Sequence, residues 1–175
     1  MTEPDAKASL HEQFLRAIPL ANEIDIQLVH AANGIAILSV PYDERLIGDP
    51  QSGVIHGGVV TSVLDTCGGA AVMALASRPL MTATLDLRID YMRAATPGQT
   101  LYTRAECFRE TQTIVFVRAT AYHVAEGGDP AICAGPEDQA VATAVGAFIV
   151  DRKKAKTDDK RGAAKQPDGA VGSGS

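Results

Sequence analysis

Lysine is almost missing from the first 150 residues: Lys7 stands alone beside eight arginines and 17 acidic side chains, which leaves that region at net −8 while residues 151–175 carry +3. A surface this acidic argues against nucleic acid as a partner of the folded part, because such partners demand a basic face. Cysteine is scarce too. Cys67, Cys107 and Cys133 are too few and too scattered for a disulfide framework or a zinc site, and they fit a reducing compartment. No stretch reaches the ~18 consecutive apolar residues of a membrane span, and Met1 to Phe14 has neither a basic start nor an apolar run like a secretory leader. The sequence thus reads as cytoplasmic, with no membrane partner, no metal and no cofactor. What remains is a chain of 175 residues, long enough for one compact domain with its own core.

Residues from about Asp5 to Ala17 have a helical rhythm that Pro19 is expected to end. Ile24 to His30 and Ile35 to Val40 alternate as strands around Asn33-Gly34, a dipeptide suited to the positive φ angles of a tight hairpin. Pro41 to Gly53 reads as loop. The segment from about His56 to Ser77 is the one long helix candidate, apolar on nearly every side and so expected to be buried all round. Four strand candidates follow, at about Thr82 to Arg93, Thr100 to Glu110, Thr113 to Val124 and Gln139 to Val150. Strict alternation in the first of them puts Leu85, Leu87, Ile89 and Tyr91 on one face and Thr84, Asp86, Arg88 and Asp90 on the other. The last is apolar on both faces, as befits a central or covered strand. A buried helix and an antiparallel sheet that wraps it give an α+β fold. The expected organisation is an N-terminal helical region over 1–19, one domain over 20–150 and a disordered tail over 151–175.

The chemistry concentrates in the long helix. Asp65 is the lone carboxylate in its apolar run, and burying it ionised without a partner costs several kcal/mol. Its plain alternative is to cap a helix broken at Gly68-Gly69. At the helix entrance stands His56-Gly57-Gly58, where free backbone N–H groups and the positive end of the helix dipole lie open to an oxyanion. A plain turn into a tightly packed helix is the alternative there. His56 and Asp65 are nine residues apart, half a turn out of phase and ~13 Å apart along the axis, so one helix cannot bring both to one reacting atom. Two copies related by a two-fold axis can, which points to a dimer with shared sites. Cys67 reads as a buried small thiol, not a nucleophile.

The stretch His56-Gly57-Gly58-Val59-Val60-Thr61-Ser62-Val63-Leu64-Asp65-Thr66, with Ala83 to Arg93 and Pro97-Gly98 after it, resembles the signature of hotdog-fold acyl-CoA thioesterases of the phenylacetate-degradation (PaaI-like) type. The resemblance spans about residues 20–150. It implies the hotdog fold, an antiparallel sheet around one long central helix, assembled as a homodimer or homotetramer. It implies hydrolysis of acyl-CoA thioesters, with Asp65 as general base or nucleophile, the Gly57 N–H polarising the thioester carbonyl and His56 orienting that loop. Thr84 would help hold the attacking water or the acid. Gly58 would lie along the bound substrate, and its CoA arm would run toward arginines such as Arg88, Arg93 or Arg118, with the choice among them left open. Asp49, followed by Pro50, stands where relatives carry an Asn that contacts the substrate. Two alternatives accompany this reading: a hotdog dehydratase or hydratase acting on 3-hydroxyacyl or enoyl thioesters, and a non-catalytic acyl-CoA binding module.

Overall fold

The computed structural model of the chain describes residues 12–77, 79–125, 127–130 and 139–151. The expected tail and the first turns of the N-terminal helical region lie outside the described residues. A helical stretch at 12–16 is followed by α1 (Pro19–Glu23), β1 (Gln27–Ala32), β2 (Ile35–Val40) and a 3-10 turn (Glu44–Leu46). Then come the short β3 (Ile47–Asp49) and β4 (Val54–Ile55), the long α2 (Gly57–Met73), β5 (Met81–Tyr91), β6 (Leu101–Glu110), β7 (Ile114–Tyr122) and β8 (Ala142–Asp151). The first helical stretch stops short of Pro19, as expected, with Ile18 extended, and Pro19 has a second role. It opens α1 at the first helical turn, where its missing N–H removes no bond.

Six strands form one antiparallel sheet in the order β1-β2-β6-β7-β8-β5, and β3 pairs with β4 in a small hairpin within the stretch read as loop. Asn33 and Gly34 both have positive φ, 53° and 77°, the backbone of a two-residue hairpin turn between β1 and β2. β8 is central, as its two apolar faces required, and β5 lies beyond it at the sheet edge. The sheet wraps α2, whose Val60, Val63, Leu64, Cys67, Ala71 and Val72 pack with Leu38, Leu101, Val115, Val117 and Phe148 in the core.

Two details correct the expectations. First, α2 is not buried on every side: Thr61 is exposed, and Ser62, Asp65 and Thr66 are half-buried along one strip. Their spacing of three and four residues places them on one face of the helix. Second, β5 carries a bulge between Thr84 and Asp86, so Thr84 pairs with Phe148 while Asp86 pairs with Ala147. Phe148 points into the core, so the extra residue, Leu85, turns Thr84 onto the helix-facing side together with Leu87, Ile89 and Tyr91. Only Asp86, Arg88 and Asp90 stay on the outer face.

α2 runs unbroken through Gly68-Gly69, which removes the reading of Asp65 as a cap on a broken helix. At Gly68 a Cβ would lie 2.5 Å from Cζ and 3.0 Å from Cε2 of Phe148, a ring that is only 1% exposed. Gly68→Ala therefore overpacks the core at a cost of about 1–3 kcal/mol, against the ~1 kcal/mol that Ala gains in a helix interior. A lower Tm is expected, and a raised one would mean that the Phe148 ring has room to move.

His123 ties the segment after β5 to the start of β6. Its Nε2 accepts the Thr96 N–H at 2.9 Å, so Nδ1 carries the ring hydrogen and donates it to the Thr100 carbonyl, 2.8 Å away. Burial holds this imidazole below its ordinary value, and Arg93 adds to the effect, while the Thr100 carbonyl opposes it. Below about pH 6.5 the unfolded chain therefore binds a proton that the folded chain takes up only at lower pH. The contribution to stability is present above that value and is lost as the pH falls through the folded one. Tm is expected to fall between about pH 7 and pH 5, and the slope should be smaller in His123→Gln; parallel slopes would contradict it.

Candidate active site

The entrance of α2 is held from several sides. His56 is the N-cap, with φ −62° and ψ 135°, and its Nδ1 accepts the Gly58 N–H at 2.9 Å. Its own N–H donates to the Leu46 carbonyl at 2.8 Å. The β3 residue Gly48 backs it closely, since a Cβ there would lie 2.7 Å from the His56 Cα. From β5, the Tyr91 hydroxyl donates to the Gly57 carbonyl at 2.8 Å. That uses Tyr91's single hydrogen, so Thr61 is the donor in their mutual 2.8 Å contact. His56 and Tyr91 together fix both polar groups of the peptide joining Gly57 to Gly58. The Gly57 N–H, on the preceding peptide, has no acceptor among the described residues.

Two turns along the helix, Asp65 meets the bulged strand. The Thr84 hydroxyl donates to Asp65 Oδ1 at 2.7 Å, which leaves Oδ2 without a donor among the described residues. The neighbouring hydroxyls turn back onto the helix: Ser62 donates to the Gly58 carbonyl at 2.8 Å and Thr66 to the Ser62 carbonyl at 2.7 Å. An open cavity of about 450 Å³ lies against Asp65, walled by Thr84, Leu87 and Phe148 from the sheet, by Thr66 and Gly69 from the helix, and by Phe14 and Ile18 from the N-terminal segment. Asp65 is thus half-buried beside a cavity, not sealed in a core.

Within one chain the structure brings Asp65 and Thr84 together and leaves His56, Gly57 and Gly58 outside the cavity wall. Asp49 lies at the end of β3, where its carboxylate accepts from the Ser52 hydroxyl and from the Gln51 N–H at 3.1 Å. Those bonds hold it below the usual carboxylate range, the Ser52 hydroxyl most. Arg88 pairs with Asp90 at 3.0 Å on the outer face of β5. Arg93 donates to the Gln139 carbonyl at 2.9 and 3.3 Å and to Ala94 and Thr96, binding the segment after β5 to the start of β8. Neither arginine lines the cavity. Cys67 is fully buried, and burial pushes its thiol up to about 12, which suits a packing role. Sequence reasoning missed Tyr91 as a partner of the helix entrance and Phe14 as a cavity wall. Each is a long-range contact with no local signature.

A family profile described as Thioesterase superfamily matches residues 52–127, the stretch that holds the helix entrance, Asp65 and Thr84. Among relatives, a protein of Halobacterium salinarum is 31% identical over 96 residues, 53% of this chain and 64% of its own length, so this chain spans somewhat under two thirds of it. The medium/long-chain acyl-CoA thioesterase YigI of Escherichia coli is 25% identical over 128 residues, 66% of this chain and 77% of YigI. Among solved structures, a Pseudomonas aeruginosa protein is 34% identical, with a TM-score of 0.66 over 79% of this chain and 95% of that one. The E. coli PaaI protein of the phenylacetic acid degradation operon shares the fold at 17% identity, with a TM-score of 0.65 over 83% of this chain and 92% of its own. With its antiparallel sheet wrapped around one helix that opens on His56-Gly57-Gly58, the chain has the hotdog fold, and its residues 52–127 match the thioesterase superfamily.

Proposed function

We propose that this protein hydrolyses acyl-CoA thioesters to the free acid and CoA. The observation that carries the reading is the Asp65–Thr84 pair, a carboxylate held by one oxygen at the mouth of a cavity. Asp65 Oδ2 takes a proton from a water that attacks the thioester carbon, or attacks that carbon itself, in which case departure of the CoA thiolate leaves an acyl–Asp65 anhydride that a water then hydrolyses to the free acid and the carboxylate. The carbonyl oxygen becomes an oxyanion, and the unengaged Gly57 N–H at the positive end of α2 stabilises it. Collapse of the intermediate breaks the C–S bond and releases the CoA thiolate, which is protonated from solvent. His56 and Tyr91 act on this step only through the peptide they fix. No metal or cofactor enters.

Gly57 and Asp65 are separated by two turns of one helix, so the reading requires a second copy of the chain, with Gly57 of one helix facing Asp65 of the other. β5 supports that arrangement. It is an 11-residue edge strand whose Met81, Leu85 and Tyr91 are each more than half exposed, and such edges are normally blunted or paired. A tetramer of two such dimers is compatible with the exposed Val145, Ile149 and Phe108 elsewhere on the sheet.

Thiol release from a panel of aliphatic and aryl acyl-CoAs tests the activity directly, with hydration of an enoyl-CoA followed in parallel. Release of thiol without hydration is expected. Hydration without thiol release would favour the dehydratase or hydratase reading, for which His56 is poorly placed because its Nδ1 is already bonded to the Gly58 N–H. Binding without either reaction would favour the non-catalytic module.

A further inference from the structure

We infer that the cavity beside Asp65 takes an uncharged, apolar acyl group, and that Gly69 and Phe14 set the size of group it admits. This rests on the thioester reading for the reaction, but the wall chemistry argues for it separately. Five hydroxyls border the cavity, and each gives its hydrogen to the protein: Thr61 to Tyr91, Ser62 to the Gly58 carbonyl, Thr66 to the Ser62 carbonyl, Thr82 to the Ile149 carbonyl and Thr84 to Asp65. Among the described lining residues no O–H is left to donate to a ligand. Among the described lining residues none is basic, so an acyl group ending in a carboxylate would meet Asp65 with no counter-charge.

Two adjacent glycines of α2 have opposite surroundings. Gly68 faces the Phe148 ring with no room for a methyl group. Gly69 faces the cavity one helical turn beyond Asp65, where an added Cβ would lie 3.9 Å from Phe14 Cζ and 3.9 Å from Thr82 Cγ2, ordinary contact distances. The absent side chain of Gly69 is therefore the gap between Phe14 and Thr82. An acyl chain whose carbonyl is at Asp65 extends through that gap. Phe14 closes its far side, carried on the helical stretch at 12–16 that the buried Leu15 anchors.

Filling the gap should shorten the accepted chain, and removing the Phe14 ring should lengthen it. The test is kcat/KM over straight-chain acyl-CoAs from butanoyl to hexadecanoyl, with succinyl-CoA as the charged counterpart of butanoyl-CoA. Wild type is expected to gain about fourfold per methylene up to a length limit, the factor that follows from burying one CH₂, and to discriminate strongly against succinyl-CoA. In Gly69→Val the ratio of dodecanoyl to butanoyl kcat/KM should fall about 16-fold, the worth of two methylenes. In Phe14→Ala it should rise. Gly69→Ala serves as the folding control, because Ala favours a helix interior, and it should shift the ratio in the same direction as Val with an unchanged or raised Tm. Equal proportional changes at every length, or acceptance of succinyl-CoA as readily as butanoyl-CoA, would overturn the inference. If wild type hydrolyses no thioester, the proposed reaction fails, and the subsite is read from binding of S-alkyl-CoA thioethers of the same lengths. Affinity that depends on length and shifts in Gly69→Val would sustain it, and affinity independent of length would overturn it.

Discussion

Asp65→Asn is expected to lower kcat for thioester hydrolysis by ~10²–10⁴-fold, the usual contribution of a positioned general base, with a smaller change in KM and little change in Tm. The substitution is isosteric, and its amide oxygen can still accept the Thr84 hydrogen bond made by Oδ1 at 2.7 Å. What it removes is the second carboxylate oxygen as a base or nucleophile. Because Asp65 is half-buried beside an open cavity, the neutral amide neither strands a buried partner nor leaves a void. Free-thiol detection on the best acyl-CoA of the panel, with a thermal melt on the same preparation, separates lost chemistry from lost fold. Undiminished thiol release with an unchanged Tm would remove Asp65 from the reaction while leaving the family assignment intact.

Much of this architecture was legible because local chemistry and tertiary packing agree. Asn33-Gly34 demanded a tight hairpin and makes one, with both φ angles positive. The apolar run after His56 forms the central helix, and the strand ends fall within a few residues of the turn signals. The misreadings have physical causes. Alternation counts residues in twos, so a bulge that inserts one residue reverses every assignment on one side of it, and strict alternation groups Thr84 with Asp86, Arg88 and Asp90 for that reason. The polar strip of Thr61, Ser62, Asp65 and Thr66 was present in the spacing of α2, but its small hydroxyl residues barely dilute the helix's hydrophobicity. β3 and β4, at three and two residues, are too short to carry any pattern. The wall of the cavity at Phe14 depends on where the N-terminal segment docks, which no local pattern specifies.

The other large effect is expected at the opposite end of the helix, where Gly57→Pro removes one hydrogen-bond donor and little else. Proline is favoured at the first helical position, which Gly57 occupies, and the preceding residue must be extended, as His56 is at φ −62° and ψ 135°. The Gly57 N–H has no acceptor among the described residues, so its loss breaks no bond described in the fold. A Cβ at this position lies 3.4 Å from Tyr91 Oη, within ordinary contact. Tm should therefore hold or rise, since proline also restricts the unfolded chain by about 0.4–1 kcal/mol. Turnover should nevertheless fall by about 10²–10³-fold if that N–H receives the oxyanion. Full activity in Gly57→Pro would show that the oxyanion is stabilised elsewhere. The same variant tests whether sites are shared between copies. In a mixed dimer of Asp65→Asn and Gly57→Pro chains, one site would combine the intact Gly57 of the first with the intact Asp65 of the second, while the other site would carry both lesions. Refolding the two inactive variants together at equal ratio makes about half the dimers mixed, so about one quarter of wild-type activity should return. A mixture no more active than its parents would mean that each chain builds its own site, which the two helical turns between Gly57 and Asp65 argue against.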